Sequence, residues 1–188
     1  MKKIILLALT LLVSVSSFAQ DGAILDKIAS AGSRCKSVTG PFVETRVSSA
    51  GKTAATLKGD LTFTAPDVFS MMYSEPKGDY FMISGDVMKS SVAGTETVYD
   101  LRKNVMMRSL SHILLYSFSG RISDLVTELG ADCKTEADGS GYLVILSAKV
   151  KSTRGFSSVQ IFYNASCKLQ KMVMTEWSGR STTYELAK

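Results

Sequence analysis

The stretch Gly59-Asp60-Leu61-Thr62-Phe63-Thr64-Ala65-Pro66-Asp67-Val68-Phe69-Ser70-Met71-Met72-Tyr73-Ser74-Glu75-Pro76 holds two strand-like runs, each closed by a proline. Leu57, Leu61 and Phe63 alternate with Lys58, Asp60, Thr62 and Thr64, the two-residue period of a strand with one apolar and one wet face. After Pro66, the run from Val68 to Tyr73 is apolar on both faces except at Ser70, which predicts cover on both sides. Together the two runs predict a sheet curled around something greasy.

Outward from this stretch the same punctuation continues. Strands are expected near 42–49, 54–64, 68–74, 79–84, 86–92 and 95–100, separated by Gly51, Ala65-Pro66, Pro76-Lys77-Gly78, Gly85 and Gly94. Ahead of them Ile24, Ile28 and Ala31 recur at helical spacing, predicting a helix over 21–38 that stops at Gly40-Pro41. Between Asn104 and Leu129 the period changes. Met107, Leu110, Leu114 and Phe118 fall three or four residues apart, so a helix runs to Gly120 and a shorter one to Gly130. Five more strands follow, near 131–136, 142–150, 156–163, 169–177 and 181–186. The fold class is therefore mainly β with some α: an antiparallel meander carrying an N-terminal helix and an apolar helical insert.

The ends and the composition narrow the functional classes. Lys2 and Lys3, an apolar run from Ile4 to Val15, and small residues at Ser17 and Ala19 read as a secretion signal over residues 1–19, cleaved near Ala19. The run is too short for a membrane span, which needs about 20 apolar residues. Removing it leaves 169 of the 188 residues, enough for one domain over 20–188, and lowers the net charge from +5 to +3 because two lysines depart. No run of like charges marks a nucleic-acid surface, although a mildly basic chain can touch an anionic membrane transiently. Cys35, Cys133 and Cys167 allow at most one internal disulfide, with three pairings open; Cys133–Cys167 is the least favoured by the meander.

Residues able to do chemistry are few. His112 is the only histidine and falls in the apolar insert; there is no Gly-x-Ser-x-Gly elbow, no phosphate-binding glycine loop and no cluster at metal-ligand spacing. The reading is of a binding protein with no catalytic residues, no metal and no cofactor. Methionine supports it. Eight of the nine methionines lie beyond Met1, and thioethers repack around ligands of irregular shape.

The helix leading to Phe42-x-Glu44-Thr45, then Gly59-Asp60-Leu61 through Pro66, the aromatic and methionine run to Tyr73, Glu75-Pro76, and Ile83-Ser84-Gly85-Asp86 together resemble the periplasmic outer-membrane lipoprotein carrier (LolA-like) family, in its divergent Bacteroidetes-type form. Leu169-x-Lys171-x-Val173, Glu176-Trp177-Ser178-Gly179 and Thr182-Thr183-Tyr184 look like the closing strands of that family. The resemblance implies an unclosed β-barrel, or half-barrel, with a helical lid over an apolar cavity. It implies a periplasmic monomer that takes acylated lipoproteins from an inner-membrane lipoprotein-releasing transporter to an outer-membrane acceptor. The family's arginine before the first proline, which helps hold the lid shut, is replaced by Ala65; Arg46 and Arg108 are the candidate substitutes.

On this reading the acyl-chain cavity is lined from the first strands by Leu61, Phe63, Phe69, Met71, Tyr73, Met82 and Met88. The lid supplies Met106, Leu110, Ile113, Leu114 and Phe118, and the late strands supply Met172 and Met174. A periplasmic scavenger of free lipid, or an envelope-stress sensor, could use the same half-barrel. A structural β-sandwich with a buried connection, and a hydrolase built on His112, are the readings from other classes.

Overall fold

The computed structural model describes residues 21–187; the secretion signal expected over 1–19 lies outside the described residues. Three helices and eleven strands are described. Helix α1 covers 21–33. Strands β1 (Ser37–Val47), β2 (Thr53–Thr64), β3 (Val68–Glu75), β4 (Tyr80–Ser84), β5 (Val87–Val92) and β6 (Thr95–Asp100) follow. Helices α2 (Val105–Ser119) and α3 (Ile122–Leu129) interrupt the strands. Then come β7 (Ala131–Ala137), β8 (Gly141–Ala148), β9 (Phe156–Asn164), β10 (Leu169–Glu176) and β11 (Ser181–Leu186). All eleven strands form one antiparallel sheet in the order β6-β5-β4-β3-β2-β1-β11-β10-β9-β8-β7, which does not close. This is the meander with helical insert that the periodicity predicts, in the half-barrel form that the resemblance implies.

The sheet curls where glycine removes a side chain. Gly59 faces inward between its register partners Phe42 on β1 and Tyr73 on β3, and a Cβ there would lie 2.1 Å from the Met72 carbonyl oxygen. The rings of Phe42 and Tyr73 meet edge to face at 5.4 Å, filling the space that Gly59 leaves. Inward positions then run Phe42 and Glu44 on β1; Leu57, Leu61 and Phe63 on β2; Phe69 and Met71 on β3; and Ile83 and Met88 on β4 and β5, all buried.

Three expectations change. Helix α1 stops at 33, and β1 starts at Ser37, because the small polar run before Phe42 pairs with Leu61–Thr64 of β2. Pro41 therefore lies within β1, at the limit of the β11 pairing, where its carbonyl accepts from Ala187 N at 3.0 Å. The Val68–Tyr73 run is covered on one face only: Val68 and Met72 are 39% and 51% exposed on the convex side.

Helix α2 lies in the concavity. Asn104 caps its start, accepting from Met107 N at 3.1 Å, and Gly120 ends it in the left-handed region at φ 72°. Its Phe118 ring sits 5.4 Å from Phe63 and 5.5 Å from Phe69. Ser111 and Ser117 are fully buried in the same face and donate back to the carbonyls of Met107 and Ile113, so the helix keeps its polar atoms satisfied within an apolar contact. The only strong hydrogen bond tying α2 to the strands, among the described residues, is from the Tyr163 hydroxyl to the Ser117 carbonyl at 2.8 Å.

At its C-terminal end α2 is fixed to α1 by backbone contact. A Cβ at Gly32 would lie 2.2 Å from the Ser119 carbonyl oxygen, and one at Gly120 would lie 2.5 Å from that of Ile28. Helix α1 is tied in turn to β7, where Asp21 accepts from the Thr135 amide and hydroxyl at 2.7 and 2.6 Å. Gly32→Ala should lower stability by about 1–3 kcal/mol despite the helix-favouring methyl. Gly22→Ala, with nothing within 4 Å, should be neutral or stabilising. Thermal melts of the two variants check the contrast; an unchanged Tm for Gly32→Ala would remove the backbone contact from the account.

Candidate functional site: the seam beneath the lid and its flanking clefts

Beneath α2 runs an apolar seam. Leu61, Phe69, Met71, Leu114, Phe118 and Met172, all expected from sequence, meet there with Leu169, Tyr184, Leu186 and the stem of Lys171. The free space in the seam is only about 10 Å³, so the hollow of the half-barrel is filled by the lid's own side chains. Phe63, Ile113 and Met174 are buried in the same core, and Met88 packs under Ser111.

Open space lies on either side of the start of α2. One cleft of about 690 Å³ separates Asn104, Val105 and Met106 from β8, β9 and the 149–155 turn, with Leu146, Val159 and Phe156 at its apolar base. A second, of about 360 Å³, runs between Met106, Met107 and Leu110 of the lid and Met174, Phe156 and Tyr184 of the sheet. Both clefts touch Met106, Arg154, Gly155 and Phe156. Met106, 47% exposed, is thus a rim residue. Met82 is placed elsewhere: it pairs with Ser70 and Lys89 on the convex face and is 42% exposed, while Phe81 and Ile83 take the inward positions. A one-residue error in parity separates the expected position from the observed one.

The second cleft ends on polar groups that the sequence reading did not assemble. Glu44, 1% exposed, accepts from the Tyr73 hydroxyl and from Arg46 Nε, each at 2.5 Å, and β11 places Tyr184 opposite Glu44. Burial acts to lower the Arg46 pKa, but the hydrogen bond and charge of Glu44 outweigh it and raise the pKa. Glu44 is legible in sequence by its parity with Phe42 and its spacing from Arg46 on the same strand; Tyr73 and Tyr184 come to it from β3 and β11.

Neither candidate latch arginine crosses from sheet to lid. Arg46 is held by Glu44 on its own strand, and Arg108 lies 3.7 Å from Glu128 of α3. Ala65 has no replacement of that kind among the described residues, and the lid is retained by apolar packing. Helices α2 and α3 are bound into one unit: Glu128 also hydrogen-bonds His112, whose ring stacks on Tyr116 at 4.8 Å, with the Arg121 guanidinium 4.3 Å from the Tyr116 ring. His112 is thereby occupied within the lid. Among the described residues no group of three or more His, Cys, Asp or Glu could hold a metal ion, and no helix is long and apolar enough to cross a membrane. The three thiols are free and partly buried, and burial, with a smaller contribution from Asp21, pushes that of Cys133 up to about 11.

Burial raises Tyr73, Tyr163 and Tyr184 well above the ordinary phenol range, with Tyr184 and Glu44 adding to the effect at Tyr73 and Glu44 adding to it at Tyr184. The unfolded chain releases phenolic protons near pH 10, whereas the folded chain keeps these three. The folded state therefore binds more protons above that pH. Stability should be unaffected by them below about pH 10 and fall as pH rises further. Denaturant melts across that range, with an ultraviolet tyrosine titration, check this; ionisation of all seven tyrosines in the folded protein would contradict it.

Similar solved structures include a LolA superfamily protein from Nitrosomonas europaea (8% identity, 89% of this chain and 91% of that one, TM-score 0.46). They also include the lipoprotein LppX from Mycobacterium tuberculosis (13%, 89% and 95%, 0.43) and LprF from Mycobacterium bovis (13%, 90% and 92%, 0.36). A comparison with curated proteins gives no match. The family model described as outer membrane lipoprotein carrier protein LolA matches residues 33–188, and the chain, a half-barrel with a helix seated in its concavity, belongs to that family.

Proposed function

We propose that the protein is a periplasmic carrier that shelters the acyl chains of lipoproteins between α2 and the concave face of the sheet. On this reading it receives them from an inner-membrane transporter and passes them to an outer-membrane acceptor, without catalysis of its own. The observation that carries the proposal is the seating of α2: it covers an apolar concave face almost wholly by side-chain packing, while clefts of about 690 and 360 Å³ open along its first turns. On this reading the acyl chain is sheltered by Leu61, Phe69, Met71, Leu114, Phe118 and Met172 of the seam and by Met106, Leu110 and Met174 of the cleft, with Leu169, Phe156, Tyr184 and Leu186 added, whereas Phe63, Tyr73, Met88 and Ile113 serve as the packing behind them.

Each methylene taken out of water contributes about 0.8 kcal/mol, so a chain of about fifteen carbons brings more than 10 kcal/mol of apolar exposure to hide. A carrier matching all of it could not let go. Here the acyl chain competes with Leu114, Phe118 and the rest of the lid for the same surface, so uptake exchanges one apolar contact for another and the net affinity stays moderate. Entry requires α2 to move outward. A further cleft of about 690 Å³ reaches Phe118 at the C-terminal end of α2, but that end is fixed by Gly32 and Gly120, so the first turns are the end that lifts.

Leu114→Glu puts a charge into the seam and should reduce lipoprotein release from membranes at least tenfold, because the lid face no longer matches either the sheet or an acyl chain. Leu110→Glu, half-buried at the second cleft rather than in the filled seam, should do the same with less effect on folding. A membrane-release assay with purified transporter and acceptor checks both variants, and release at the wild-type rate by folded variants would overturn the lid's role. If the protein co-purifies with free lipid and transfers no lipoprotein, the scavenger or sensor reading replaces this one.

A further inference from the structure

We propose that the rim of the clefts beside α2 docks on an anionic lipid bilayer, with the tip of the β8–β9 hairpin entering the headgroup layer. The inference rests on the carrier reading, since it places the opening of the site against the membrane from which an acyl chain must emerge.

From Gly139 to Thr175 the sequence contains no aspartate or glutamate, yet it carries Lys149, Lys151, Arg154, Lys168 and Lys171. Three of these cations occupy the 149–155 turn that joins β8 to β9. Lys149 lies 3.5 Å from the well-exposed Asp132, whereas Lys151 and Arg154 make no ion pair among the described residues. Between the two lysines stands Val150, 78% exposed, the most exposed large apolar side chain among the described residues. Across the same cleft the start of α2 presents Val105, 64% exposed, and Met106, beside Lys103. The cleft's acid, Glu128, is occupied by His112 and Arg108.

A single exposed valine needs no explanation. The two most exposed valines among the described residues, on opposite lips of one opening and flanked by Lys103, Lys149, Lys151 and Arg154, form an amphipathic rim. Among the described residues the last two of these cations are free of ion pairs, and the first two hold only exposed or half-exposed partners. Apolar tips enter the boundary between headgroups and acyl chains, and each nearby lysine or arginine is drawn to an anionic surface across roughly a Debye length. An acidic protein surface could attract the cations but would leave Val150 and Val105 without an apolar layer to enter. For that reason a bilayer is the better fit.

The only tryptophan, Trp177, lines the same cleft and reports on it. The purified protein is titrated with vesicles of phosphatidylglycerol mixed with phosphatidylcholine, and with vesicles of phosphatidylcholine alone, following Trp177 emission and co-sedimentation. The expected result is a blue shift and binding with the anionic vesicles, at least tenfold weaker with the neutral ones and weakened by salt. Lys149→Gln/Lys151→Gln should bind the anionic vesicles about thirtyfold less tightly. Val150→Asp should also weaken binding, and both variants should melt like the wild type because the positions are exposed. Displacement of a hydrophobic dye by palmitate is measured in parallel on the wild type and the double-glutamine variant, and should be the same in both. Absence of vesicle binding, equal binding to both lipids, or wild-type binding by the double variant overturns the docking while leaving the carrier reading intact. Failure of palmitate to displace dye from the wild type overturns the carrier reading instead.

Discussion

An antiparallel sheet that curls without closing leaves one apolar concave face, and water must be kept off it by something other than more sheet. In this protein that task falls to α2. The constraint explains why a fifteen-residue helix interrupts eleven strands, why its buried serines turn their hydroxyls back onto their own backbone, and why its aromatic end stacks on Phe63 and Phe69. Because the cover is a helix rather than a strand, its backbone hydrogen bonds are satisfied internally. It can therefore leave the sheet at the cost of apolar contact and little else.

The polar features fit around that cover. Glu44 is buried in the floor, but Tyr73 and Arg46 supply its hydrogen bonds, so the concavity holds a carboxylate without an unsatisfied atom. The lid's own polar contacts, from Arg121 over Tyr116 to His112 and Glu128, join α2 to α3 rather than to the strands. The result is a stiff two-helix cap on a stiff curved sheet, with a mainly apolar plane between them. A plane of that kind is indifferent to the shape of what replaces one partner, which suits flexible hydrocarbon.

Much of this was legible in the sequence, for a local reason. Glycine, proline and the two-residue period mark strands within a few positions of where hydrogen bonds form, and the shift to a period of three or four marks the lid. What was not legible depends on pairing. Ser37–Pro41 looks like a helix end and a turn until β2 lies beside it; Met82 looks equivalent to Ile83 until its register with Lys89 puts it outside. Val68 and Met72 read as buried because hydropathy does not reveal how many layers a sheet carries. Tyr184 and Glu44 are far apart in the chain and meet only because β11 returns to pair with β1. The family resemblance supplied the expectation of an arginine latch, and Ala65 had already signalled that this chain retains its lid by other means.

The glycine contact between α1 and the end of α2 has a mechanical corollary. A helix of this length is a lever of about 22 Å, and turning it about its anchored end by roughly fifteen degrees raises the free tip by about 6 Å, more than the spacing between neighbouring strands. Small torsions at Gly120 are thus amplified into a gap at Val105, while Phe118, close to the fulcrum, hardly leaves the aromatic stack. The fold can open one flank of its interior while the aromatic stack at the other stays in place.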